Sequence, residues 1–153
     1  MRPRMTVRPF TTSDMDRILE IESASFGIDA YDRKLFAELF HKCGSLFLVA
    51  GSGRNICGYM VTCIRGRRAP DAAELVSLAV DPACRNRGAA SSLMKSTLRR
   101  LRWRGVGRLS LMVKVTNATA RRFYERHGFQ KVRKAPAYYE DGEDGVLMSR
   151  SLR

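Results

Sequence analysis

Residues 85–88, Arg-Asn-Arg-Gly, stand between an apolar run from Leu75 to Val80 and a helix-like pattern that starts at Ala89. Asp81-Pro82 ends the run, so the pattern predicts a strand that passes through a tight turn into the open N-terminus of a helix. The first N–H groups of a helix have no partner within it and point one way. With Gly88 at the tightest point and Arg85 and Arg87 adding charge, residues Arg85, Asn86, Arg87, Gly88, Ala89 and Ala90 read as a cradle for an anion, and a phosphate or pyrophosphate suits it. Metal chemistry is not expected. The only histidines are His41 and His127, and Cys43, Cys57, Cys63 and Cys84 include no CxxC pair. Free, reduced cysteines are the expectation.

The rest of the chain must hold this cradle. At 153 residues with 44% hydrophobic composition the sequence predicts a single domain, 1–153, with a real core and no apolar run long enough for a membrane span. The start, MRPRMTVRPF, lacks an apolar signal core, and a cytoplasmic protein is expected. Lys and Arg total 28 against 15 acidic residues, a formal charge of +13 that favours an anionic partner.

Thr6 to Phe10 reads as a short strand, and Thr12-Ser13-Asp14 offers caps to a helix whose apolar face is Met15, Ile18, Leu19 and Ile21. A second helix is expected over Tyr31 to Phe40, with the apolar loop FGIDAY between the two. Ser45 to Ala50 and Asn55 to Ile64 predict a hairpin, followed by a basic loop from Arg65 to Asp71. The central strand begins at Glu74 and its helix runs from about Gly88 to Arg104, buried through Leu93, Met94, Leu98 and Leu101. The run RRLRWR within it reads as a solvated basic face, with an RNA contact as the other reading, and Trp103 as a packing anchor rather than a base-stacking platform. A strand over Arg108 to Val115 then completes a strand–helix–strand unit, which implies one parallel pair. Asn117 caps ATARRFYERHGF, Gly128 stops it, and two last strands, Gln130 to Tyr139 and Gly145 to Leu152, are joined at EDGEDG.

The order Arg85-x-x-Gly88-x-Ala90 after Leu78-Ala79-Val80-Asp81-Pro82 resembles the coenzyme A signature of the GNAT superfamily of N-acetyltransferases. A second block, NATARRFYERHGF, is similar to that family's Asn-x-x-Ala-x-x-Phe-Tyr-x-x-x-Gly-Phe, with Asn117, Ala120, Phe123, Tyr124, Gly128 and Phe129 all matching. With YYEDGEDGVLM at the C-terminal end the resemblance covers essentially the whole chain, and the RimI-like and Ard1-like branch, which acetylates protein N-termini, is most similar. The resemblance implies an α/β (α+β) GNAT fold: a mixed, mainly antiparallel sheet of about seven strands with one splayed parallel pair, flanked by about four helices.

It also implies acetyl-CoA as the coenzyme. Backbone groups of Leu78, Ala79 and Val80 would pair with its pantetheine arm as an added strand does. The N–H groups from Arg85 to Ala90 would hold the pyrophosphate, Asn117 would lie beside the coenzyme, and Tyr124 close to its sulfur. A neutral amine attacks the thioester and the sulfur leaves as a thiol. Tyrosine, with a reference pKa of about 10, can supply that proton. Close RimI relatives would carry a glutamate where this chain has Met112, within Leu111-Met112-Val113. Glu74 is the replacement base that the resemblance suggests, with a solvated strand-end charge as the other reading of it. A third reading needs little base, because an α-amine with pKa near 8 costs only about 1 kcal/mol to deprotonate at neutral pH and a lysine about 4–5 kcal/mol. Phe26 and Tyr31 would wall the peptide channel, or else tie their loop to the core. Tyr138 and Tyr139 match tyrosines that hold the peptide backbone, with ordinary packing in the final hairpin as the other reading.

The function expected is transfer of an acetyl group to a protein N-terminus, with a ribosomal protein among the candidates. Acetylation of a small amine, a polyamine or an aminoglycoside, is the alternative. A basic RNA- or ribosome-binding module without catalysis is the remote one, and a nucleic-acid partner is not expected. Nothing in the sequence chooses between monomer and homodimer.

Overall fold

A computed structural model describes residues 4–65 and 71–153. Most of the basic loop expected between Arg65 and Asp71 therefore lies outside the described residues. The elements run in the order β1 (Thr6–Pro9), α1 (Met15–Phe26), α2 (Arg33–Cys43), β2 (Phe47–Ser52), β3 (Asn55–Arg65), β4 (Ala72–Val80), α3 (Ala89–Trp103), β5 (Arg108–Lys114), α4 (Ala118–Arg126), β6 (Gln130–Ala135) and β7 (Gly145–Ser151). Among the described residues seven strands form one sheet in the order β1-β2-β3-β4-β5-β7-β6. The mixed α/β architecture expected is the one observed, with β4 and β5 as its parallel pair.

Two compact units divide the chain, Met1–Cys63 with Leu75–Arg100 and Ile64–Glu74 with Leu101–Arg153. In the first, β1, β2 and β3 pair antiparallel and α1 and α2 close over an aromatic core. Phe10 stacks on Phe47 at 4.1 Å between ring centroids, and Phe36 meets Tyr59 edge-on at 5.5 Å. The start of β3 faces the end of β4. Asp81 N–H donates to the Cys57 carbonyl at 2.7 Å, and a Cβ placed on Gly58 would fall 2.8 Å from the Ala79 carbonyl oxygen, so only glycine permits this approach.

In the second unit the parallel register covers Ala72–Arg108, Ala73–Leu109 and Glu74–Ser110. β4 runs on to Val80 and β5 to Lys114 past the last paired residues. β5 also pairs antiparallel with β7 along its whole length, and β7 with β6 across a bulge at Lys131/Arg133. Leu109, Leu111 and Val113 of β5 are buried with Val146 and Met148 of β7, as their period of two predicts.

Local chemistry moves several expected boundaries. Helix α2 starts at Arg33 because the Asp32 carboxylate accepts the Leu35 N–H at 2.9 Å and so occupies the N-cap. β2 starts at Phe47 because residues Gly44–Leu46 form a single 3-10 turn. β6 ends at Ala135 rather than Tyr139. Ala137 has a φ of +49°, outside any strand conformation, and its N–H is taken by Asp144 at 2.8 Å.

Two expectations are corrected. The cysteines are not free: Cys43 is bonded to Cys63 and Cys57 to Cys84, with Cα–Cα distances of 5.0 and 5.7 Å. The first joins α2 to β3 across 20 residues, and the second joins β3 to the one-turn helix Pro82–Cys84 across 27. Trp103 is not a packing anchor, since 89% of it is exposed. Leu98 and Leu101 take the buried stripe of α3, and Trp103 falls on the opposite side of the last turn.

Candidate functional site

Strand β4 alternates: Ala73, Leu75, Ser77 and Ala79 are buried, and Glu74, Val76, Leu78 and Val80 are half-buried on the other face. Its end is fixed from two sides. Arg17 of α1 pairs with Asp81 and donates through Nε to the Ile56 carbonyl at 3.1 Å. The Asp81 carboxylate also accepts the Ala83 N–H at 2.9 Å, which starts the one-turn helix Pro82–Cys84. The Arg17 guanidinium holds the Asp81 carboxyl below the usual carboxylate range, with the Ala83 N–H adding to the effect.

The chain then turns through two left-handed residues, Asn86 with a φ of +63° and Gly88 with +82°. A Cβ on Gly88 would meet nothing within 4 Å, so the backbone angle, not space, calls for glycine there. The Ser92 N–H donates to the Gly88 carbonyl at 2.9 Å and opens the helical ladder of α3. The strand–turn–helix expected from sequence is therefore formed. Arg85 and Asn86 are exposed, Arg87 is half-buried with its guanidinium 3.4 Å from the Ser52 hydroxyl, and Ala89 is buried.

In the second unit Asn117 caps α4, its side-chain oxygen accepting the Ala120 N–H at 3.2 Å. Two helical turns further, Tyr124 is 8% exposed and packs edge-on against Phe129 at 5.7 Å and Phe123 at 5.5 Å. Burial raises its phenol pKa well above the usual range, and the charge of a nearby Tyr139 phenolate would raise it further. Tyr124 is thus a protonated donor throughout the neutral range.

Tyr138 and Tyr139 meet edge-on at 5.0 Å. Tyr138 is exposed, and the Lys114 ammonium lies 5.2 Å from the Tyr139 ring centroid. The acidic turn that follows is a brace. Lys114 bonds Asp141 at 2.7 Å and Glu143 at 3.1 Å, and Lys134 pairs with Asp144 at 3.1 Å. Glu74 is half-buried and ion-paired with Arg65, and Met112, half-buried on β5, packs against Gly145.

In the first unit, the Tyr31 ring is half-buried against Phe36 at 5.9 Å and anchors its loop, whereas Phe26 and the neighbouring Ile28 point outward. Sequence reasoning missed what holds that loop. Glu22 is 2% exposed, accepts the Tyr31 N–H at 2.8 Å and bonds the Tyr59 hydroxyl, which itself lies 2.9 Å from Ser77 on β4. Burial raises the Glu22 carboxyl above its ordinary value against the opposing pull of these bonds. The signal was a carboxylate on the apolar stripe of α1, beside Ile18 and Ile21.

The acetyltransferase (GNAT) family model matches residues 15–129. The chain belongs to this family. It is an acetyl-CoA-dependent acetyltransferase. Among its relatives, the N-alpha-acetyltransferase RimI of Mycobacterium tuberculosis is 31% identical over 153 residues, covering 95% of this chain and 92% of that protein. The crystal structure of Ard1 from Thermoplasma volcanium superposes with a TM-score of 0.90 at 27% identity, covering 96% of this chain and 97% of the other. The ribosomal-protein-S18-alanine N-acetyltransferase of Escherichia coli gives 0.84 at 26%, covering 97% and 94%. These similarities agree with the RimI-like and Ard1-like resemblance. Among the described residues no helix of this acetyltransferase is long and apolar enough to cross a membrane, and no cluster of metal-ligating side chains occurs.

Proposed function

We propose that this acetyltransferase acts, as one catalytic domain, on the free α-amino group of a protein N-terminus. The left-handed turn at Asn86 and Gly88, ahead of α3, carries the coenzyme part of the reading. It leaves the N–H groups at the start of the helix for the coenzyme pyrophosphate, with Arg85 and Arg87 beside them. Leu78, Ala79 and Val80, beyond the last residues paired to β5, take the pantetheine arm by strand addition. In the second unit Asn117 and Tyr124 serve the reacting end, and Tyr138 and Tyr139 the acceptor backbone. Phe26, outward beside Ile28 in the first unit, serves the acceptor as well, over the loop that Tyr31 anchors.

The amine nitrogen attacks the thioester carbonyl, the C–S bond breaks, and Tyr124 gives its proton to the sulfur. The proton shed by the new amide nitrogen restores it. Glu74 is occupied by Arg65, so the amine enters as its neutral fraction. That suits an α-amine and disfavours lysine by about 3 kcal/mol. The relatives named for N-alpha acetylation and for ribosomal-protein S18 point the same way, and a ribosomal protein is the acceptor we infer.

Acetyl-CoA-dependent thiol release with short peptides differing in their first residues, beside lysine peptides and spermidine, tests this. Turnover on particular free N-termini, abolished when the α-amine is blocked, is expected. Turnover on spermidine alone would move the acceptor to small amines.

A further inference from the structure

Helix α3 ends on a surface that acetyl transfer does not use. The buried stripe of the helix is Leu93, Met94, Leu98 and Leu101. The outward side carries Lys95, Arg99, Arg102 and Trp103, all exposed, with Arg104 exposed just beyond. The chain stops cleanly there: Gly105 is left-handed with a φ of +79°, and the Gly105 and Val106 N–H groups return to the Arg102 and Leu101 carbonyls at 3.0 Å. Trp103 is therefore held on a fixed backbone with 89% of its surface in water.

No carboxylate serves this surface from its own stretch of chain. The sequence has no acidic residue between Asp81 and Glu125, and eleven basic ones lie between them. Arg102 also stands near a second cation. Arg150 of β7, partly desolvated and facing the Arg102 charge, has its pKa lowered, and it donates to the His127 carbonyl rather than to an acid. An exposed indole next to the exposed Arg102 favours an anion with a flat, stackable face.

We propose that the outward face at the C-terminal end of α3 binds single-stranded RNA, with Trp103 as a base-stacking platform and Arg102 on the flanking phosphates. An acidic polypeptide would satisfy the guanidiniums but would leave the indole in water. A nucleotide chain satisfies both, since every base has a π face and every link a phosphate. The exposure of Trp103 overturns only its reading as a packing anchor.

Trp103 is the single tryptophan of the chain, so its emission reports this surface alone. The intact protein, titrated with a twelve-residue oligouridylate at low salt, should show saturable quenching, with affinity falling steeply as salt rises. A polyglutamate of matched charge should leave the emission unchanged. With fluorescently labelled RNA, Trp103→Ala should bind about five- to a hundredfold more weakly and Trp103→Phe should recover part of the loss, both keeping wild-type acetyl transfer as proof of folding. RNA binding without quenching, equal binding by Trp103→Ala, tighter binding of polyglutamate, or no RNA binding at low salt would each overturn the proposal.

Discussion

In the proposed reaction Tyr124 is the acid for the leaving sulfur, and its burial against Phe123 and Phe129, which raises its pKa, keeps the phenol protonated. A phenol in that state stays protonated past pH 10, so loss of the acid does not limit the rate below that point. The rate should instead climb as the acceptor α-amine deprotonates, through about pH 8. Tyr124→Phe should lower kcat by about a hundredfold or more with little change in the KM for acetyl-CoA. Glu74→Gln should change kcat by less than about threefold and leave the climb in place, since Arg65 already occupies that carboxylate. Full turnover by Tyr124→Phe would remove it as the acid. A hundredfold loss in Glu74→Gln would make that glutamate the base.

At the scale of elements, helix α1 and the short turn before it carry two buried acids of opposite pH behaviour. Arg8 of β1 bonds the Asp14 carboxylate twice at 2.8 Å, and the Thr11 N–H adds a third bond at 2.8 Å. The Arg8 bonds, first, hold Asp14 below its usual range. A depressed folded pKa gives stability that is present above the unfolded value of about 4 and lost as pH falls through the folded one. Asp14→Asn should therefore cost about 1–2 kcal/mol at pH 7, with Arg8 half in solvent, and much less at pH 3, where the wild type has itself begun to protonate. Denaturant midpoints at the two pH values measure this, and an equal cost at both would mean that charge pairing is not what Asp14 contributes. Glu22 has the reverse sign. Its folded pKa is raised by burial, so its contribution is full below about pH 4 and fades as pH rises through the folded value.

For the molecule as a whole, both disulfides lie in the first unit and the second holds none. Closing loops of 20 and 27 residues stabilises the fold by about 3 kcal/mol each in the chain-entropy account. Adding a strong dithiol reductant should lower the denaturant midpoint and speed amide exchange in β2, β3 and α2 more than in β5 and β7. An unchanged midpoint after complete reduction would show that packing alone closes these loops.

The order of elements, the β4–turn–α3 cradle and the Asn117 to Phe129 block were legible because each is local. Period-two and helical spacing, a cap three residues from its N–H, and a glycine at a positive φ are properties of a few consecutive residues. Only the tertiary structure decided that Cys43 meets Cys63, that Glu22 meets Tyr59, that Arg65 occupies Glu74, and that Trp103 faces water. A sequence pattern tells which face of an element is apolar, but the partner across that face is set by register and helix placement, which bring together residues far apart in the chain, as Glu22 and Tyr59 are at 37 positions, or leave a large side chain exposed.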